Sequence, residues 1–195
     1  MIAGYHIIFG MYGFWLPNDP RGSWSDFVGS WELARFGPAT KTAETRSVAY
    51  RPHDHALRLA AKQALLRPAV ELSGLQARAV GRGFAKYVQK SGLAVWACAI
   101  LPDHVHLVIG TSELKVESLV IQLKGSATEE LVNEGLHPFQ NQRDDQGRPH
   151  KCFARGEWKV YLQVDDVPRA IQYVEMNPEK EQLPRQTWGF VSALH

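Results

Sequence analysis

Two histidines separated by a single residue, His104 and His106, sit in the apolar stretch HVHLVIG. If that stretch is a strand, its period of two puts both imidazoles on one face and Val105, Leu107 and Ile109 on the other. Two imidazoles side by side on a strand offer a preformed edge for a divalent metal, because the backbone fixes their separation. A second pair lies further along the chain, in RAIQYVEMNP, where Tyr173 and Asn177 are four residues apart. That spacing places them on one helix face, one turn apart. A phenol and a carboxamide oxygen so arranged can address the same metal-bound phosphate. Neither pair is specific alone. His-x-His also occurs in amidohydrolases, cupins and ordinary surfaces, although 195 residues is short for an amidohydrolase barrel of about 250. A tyrosine on an amphipathic helix is most often a core or rim residue, and Asn-Pro is an everyday helix stop.

The elements that must position these side chains follow from patterning. Residues 2–12 are rich in aromatic and β-branched types and read as a first strand. Residues 14–52 form a long, mostly irregular insertion dense in Pro, Gly and Trp; its tryptophans (Trp15, Trp24, Trp31) argue that it packs on something. Residues 53–91 are helical in two pieces, broken at Pro68 and closed by Gly92. The apolar run 93–101 and the histidine stretch 104–110 are strands joined by a tight Pro102-Asp103 turn, hence an antiparallel hairpin. The Asp103 side chain is expected to bond its own backbone in that turn. Residues 114–135 make an amphipathic helix, 137–152 a polar loop and 158–164 a last strand. A final helix starts at Val167-Pro168 and ends before Asn177-Pro178. This order predicts an α+β fold: a mainly antiparallel sheet with helices packed on it, as one domain spanning 1–195 with a long insertion after the first strand.

Bulk properties narrow the class. A hydrophobic content of 45% supports a real core, and two cysteines, Cys98 and Cys152, fit a reducing cytoplasm better than a disulfide scaffold. The apolar N-terminal stretch has no basic leader or small-residue cleavage site, so it reads as a buried strand, not as a signal peptide or membrane span. Net charge is +2 overall. Residues 1–92 hold twelve Lys/Arg against six Asp/Glu, however, and 93–195 ten against fourteen. A basic half beside an acidic half with metal-ligand-type histidines is compatible with a nucleic-acid enzyme.

The stretch WACAILPDHVHLVIG resembles the Leu-Pro-x-His-apolar-His segment of the HUH tyrosine transposases of single-stranded DNA. Within that group, the REP-associated tyrosine transposases and their insertion-sequence relatives carry a similar segment. Their last core helix carries a Tyr-apolar-x-x-Asn-Pro segment similar to YVEMNP here. The likeness covers roughly residues 93–178, with a weaker likeness of the first strand. It implies a ferredoxin/RRM-like HUH endonuclease core. It also implies a metal-dependent single-strand endonuclease or transposase that nicks and rejoins DNA through a 5′-phosphotyrosine intermediate. Tyr173 would be the nucleophile, and His104, His106 and Asn177 would hold Mg2+ or Mn2+. The partner would be single-stranded DNA in hairpin-forming repeats. Relatives form dimers in which the tyrosine helix serves the partner's site, so a homodimer is one assembly the resemblance allows.

Such an enzyme must also grip unpaired DNA. Candidate phosphate contacts are Lys124, Thr128, Arg155 and Lys159, while Arg21 with Trp24 could combine a phosphate clamp with base stacking. A solvated charge or a packed tryptophan explains each of these equally well. Among other tyrosines, Tyr161 is the spare candidate. His6, His53, His55 and His137 receive no role, as lone or loop histidines. Two other classes compete: a non-catalytic or domesticated sequence-specific DNA-binding protein on the same fold, and an unrelated metal-dependent hydrolase using the same histidine pair.

Overall fold

The computed structural model describes residues 1–17, 19, 28, 31–39 and 54–194. Alternation along the first strand, β1 (Ile2–Gly10), decides its two faces: Ile7 and Phe9 are fully buried on one side, and His6 and Ile8 point to the other. A one-turn helix, α1 (Trp31–Ala34), and the helix α2 (His55–Gln63) follow. Asp54 caps α2 by accepting from the Leu57 N–H at 2.9 Å. The long helix α3 (Gly74–Ser91) begins with a reciprocal Ser73–Gln76 capping box and ends at Gly92 in the left-handed conformation, φ 67°. Next come the hairpin strands β2 (Val95–Ile100) and β3 (His104–Gly110), the helix α4 (Val116–Asn133), and β4 (Trp158–Gln163). The described chain closes with α5 (Val167–Glu175), α6 (Asn177–Lys180) and an extended C-terminal segment.

Among the described residues, the strands form one antiparallel sheet in the order β2-β3-β1-β4. With α3 between β1 and β2, and α4 between β3 and β4, this is the split βαβ, ferredoxin-like arrangement. The α+β expectation therefore holds, sheet type included. Helices α3 and α4 cover one face, over Ile7, Phe9, Val105, Leu107 and Ile109. They cross closely because a Cβ on Gly83 would stand 2.5 Å from the Ala127 Cα. Helix α5 covers part of the other face through Val167, Ala170, Ile171 and Val174. The side chains beneath it include Ala97 and Ala99, whose small size lets the helix approach the sheet.

Three places bear on the sequence expectations. The last long helix, α5, ends before Asn177-Pro178 as expected, and beyond Met176, in αR conformation, a further short turn, α6, follows. Proline is tolerated there because it falls in a first turn, where its missing N–H costs nothing. Trp31 is 81% exposed, so it does not pack as the composition of the insertion suggested. Most of that insertion, with Arg21 and Trp24, lies outside the described residues, as does His53. The C-terminal segment, given no element in advance, lines the outer edge of β2. Gln186 accepts from the Ile100 N–H at 2.8 Å and donates to its carbonyl at 2.7 Å, and the Ser192 N–H donates to the Val95 carbonyl at 2.9 Å. These bonds cover an edge that would otherwise offer unpaired backbone groups. No helix among the described residues is long and apolar enough to cross a membrane.

Candidate active site

Two strands, β1 and β3, and helix α5 meet at a cluster of rings on the α5 face of the sheet. In the β1–β3 ladder Ile8 is opposite His106 and His6 is opposite Val108, so His6 and His106 are diagonal neighbours on the same face. The His6 Nε2 lies 3.0 Å from the His106 Nδ1, and the two rings stack with centroids 5.2 Å apart. His104 is two residues before His106, and their ring centroids are 4.8 Å apart. Helix α5 hangs Tyr173 over this cluster, its ring 5.9 Å from His106 and 5.7 Å from His6. Asn177, one turn on, is buried.

Each ring is held from behind. The His104 Nδ1 is 2.6 Å from the Asp103 carboxylate, and Phe14 stacks on the same ring at 4.8 Å and 26°. Asp103 thus serves the neighbouring histidine, a contact that the expected bond to its own backbone did not include. The turn itself is fastened by the Met11 N–H, which donates to the Asp103 carbonyl at 2.8 Å. His6 is a correction. Its position on β1, opposite in phase to Ile7 and Phe9, was a usable signal, but only the ladder register shows which residue it meets.

Electrostatics follow from burial. Desolvation lowers His6 to about 4. It also holds His106 well below its ordinary value, with smaller contributions from His104, His6 and Lys180. Both imidazoles are therefore neutral at pH 7, the form that binds metals and accepts hydrogen bonds. Burial raises the Tyr173 phenol above its usual value, the Asn177 carboxamide beside it pulls the other way, and Glu181 adds to the rise. The Asn177 amide nitrogen is buried without a hydrogen-bond partner, and a phenolate at Tyr173 would provide one.

A divalent ion fits what is present only in a particular way. Among the described residues, no three His, Cys, Asp or Glu side chains converge on a metal position. The donors would be two imidazoles and the Asn177 carboxamide. Anchoring of both histidines through Nδ1 leaves each Nε2 to ligate, which is the usual support for metal-binding histidines.

The candidate DNA contacts are not gathered here. Lys124 packs over the Phe9 ring on the opposite, α3/α4 face, donating to the Ala154 and Gly156 carbonyls at 2.9 and 2.7 Å. Burial lowers it to about 8. Thr128 donates to the Lys124 carbonyl at 2.7 Å, and Lys159 is paired with Glu117 of α4. Lys124, Thr128 and Lys159 thus staple the far side of the sheet and cannot meet a phosphate at Tyr173. Arg155 is exposed. Tyr161, the spare tyrosine, stands on the α4 side against Tyr5, away from the histidines.

Fold and site together define a ferredoxin-like α+β protein with a histidine cluster under a helix-borne tyrosine. No family model and no curated protein sequence matches the chain. Among solved structures it is similar to a REP-associated tyrosine transposase bound to a REP hairpin. That similarity has 12% identity, 92% of this chain and 68% of that one covered, and a TM-score of 0.48. It is also similar to a Deinococcus radiodurans protein provisionally described as a transposase, with 14% identity, 90% of each chain covered and a TM-score of 0.38.

Proposed function

We propose that this chain nicks and rejoins single-stranded DNA, with Tyr173 as nucleophile and a divalent metal, Mg2+ or Mn2+, held by His104, His106 and Asn177. The observation that carries this reading is the placement of the Tyr173 ring within 6 Å of both His106 and His6 on one sheet face. The Tyr173 oxygen attacks the scissile phosphorus and the bond to the 3′-oxygen breaks. The phenolic proton passes to water, and the departing 3′-oxygen takes one up. The phosphotyrosine ester keeps the bond energy, so a 3′-hydroxyl can reverse the step and rejoin the strand. When bound, the metal polarises the phosphate and helps stabilise charge on the oxygens.

The chain's own groups do the rest. A free phenol ionises at about pH 10, and here burial raises that further, so attack needs help at the tyrosine oxygen. The orphaned Asn177 N–H is placed to give it. His6 and Asp103 hold the two histidines in one orientation each, so that little reorganisation is needed when substrate arrives.

Incubating the protein and Mn2+ with a labelled pool of DNA hairpins bearing randomised single-stranded flanks, then running a denaturing gel, tests this reading. A protein-linked DNA band is expected, absent in Tyr173→Phe. Cleavage that survives Tyr173→Phe defeats the nucleophile assignment and favours a metal-dependent hydrolase. Binding with no adduct under any metal favours the non-catalytic DNA-binding alternative.

A further inference from the structure

The helical path that carries Tyr173 and Asn177 continues for another turn. Lys180 follows Tyr173 by seven residues and Asn177 by three, so all three side chains share one face. The backbone keeps that face continuous: the Lys180 N–H donates to the Met176 carbonyl at 3.2 Å, and buried Asn177 and Pro178 fix the turn against the protein. Lys180 Nζ consequently stands 4.4 Å from the centre of the Tyr173 ring. Its charge also reaches His106. Other cations of the surface are neutralised by neighbours: Lys62 by Glu71, Arg82 by Glu134, Lys86 by Glu130 and Lys159 by Glu117. Among the described residues no carboxylate forms an ion pair with Lys180, the cation beside the phenol.

We propose that Lys180 is a further catalytic residue, whose ammonium binds a non-bridging oxygen of the scissile phosphate next to the Tyr173 hydroxyl. This rests on the nicking-and-joining reading above. A phosphodiester under attack gathers negative charge on its non-bridging oxygens, and a cation already in place stabilises that charge without reorganisation. An ammonium on a four-carbon stem suits the task, being a compact charge with three donors and a wide reach. Its contact with a half-buried tyrosine ring is weak, so the side chain can move from the ring to a bound phosphate. Lys180 transfers no proton; it donates hydrogen bonds while the P–O bonds exchange as described.

The test begins with the non-cleaving Tyr173→Phe protein and the same hairpin pool, with binding followed across a salt series. Adding Lys180→Gln is expected to weaken binding severalfold and to reduce the slope of log affinity against log salt by about 0.7, one phosphate contact to a single strand. Lys180→Arg should restore both. With Tyr173 intact, Lys180→Gln should slow adduct formation by on the order of tenfold to a hundredfold, again with recovery in Lys180→Arg. An unchanged salt slope in Lys180→Gln overturns the proposal, whatever the rate does. So does an equal loss in the Gln and Arg variants, because the charge is what the contact requires. If Tyr173→Phe binds no DNA at all, the DNA-enzyme reading itself fails and takes this proposal with it.

Discussion

The Nε2 of His6 and the Nδ1 of His106 are 3.0 Å apart, a hydrogen bond that joins β1 to β3 beneath Tyr173. Both rings are neutral at pH 7, so one nitrogen of the pair donates and the other accepts. For His106 to ligate a metal through Nε2, its Nδ1–H must donate to the His6 Nε2. His6 would then set the tautomer of its neighbour, as Asp103 does for His104.

Removing that support should weaken metal binding without removing a ligand. His6→Ala is expected to lower Mn2+ affinity by about tenfold to a hundredfold, measured by calorimetric titration of the DNA-free protein. Equal affinity in variant and parent would show that His106 needs no orientation from β1.

The buried neutral histidines should also make the fold acid-sensitive in the absence of metal. His6 is lowered from 6.5 to about 4. Between those values the unfolded chain binds a proton that the folded chain refuses, so stability rises with pH and is lost as pH falls. His6 alone can account for up to about 3 kcal/mol. Denaturant melts in chelator from pH 7 to pH 4 should show the decline, and His6→Gln should flatten it. A flat profile in the parent would contradict the burial of these rings.

The crossing of α3 and α4 gives a prediction whose sign is informative. Glycine to alanine inside a helix normally stabilises by about 0.5–1 kcal/mol. Gly83→Ala should instead destabilise by roughly 1–3 kcal/mol, because its new methyl would meet backbone atoms of Ser126 and Ala127 at 2.5–2.8 Å. Thermal denaturation against the parent protein decides it; an increased melting temperature would mean that the helices can separate at little cost.

Covering of the β2 edge can be tested at one side chain. Gln186→Ala leaves the N–H and carbonyl of the buried Ile100 without their partners, and should cost about 1–3 kcal/mol. Hydrogen exchange at the Ile100 amide should accelerate in the variant. Protection equal to that of the parent would place the shielding of this edge elsewhere.

Local patterning determined the elements: the alternation in 2–12, the hairpin at Pro102-Asp103, the Gly92 stop and the Val167-Pro168 start all correspond to elements of the structure. It also placed His104 and His106 on one strand face and Tyr173 with Asn177 on one helix face, because periods of two and 3.6 are properties of the backbone alone. What those faces meet is not written in any local stretch. The partnership of His6 with His106 depends on ladder register between strands 100 residues apart in sequence. The exile of Lys124, Thr128 and Lys159 to the far face depends on which side of the sheet α4 takes. The approach of Tyr173 depends on the small Ala97 and Ala99 beneath α5. The histidine pair is thus legible as a motif, and only tertiary packing, which fixes register, face and approach together, makes it part of a five-residue site.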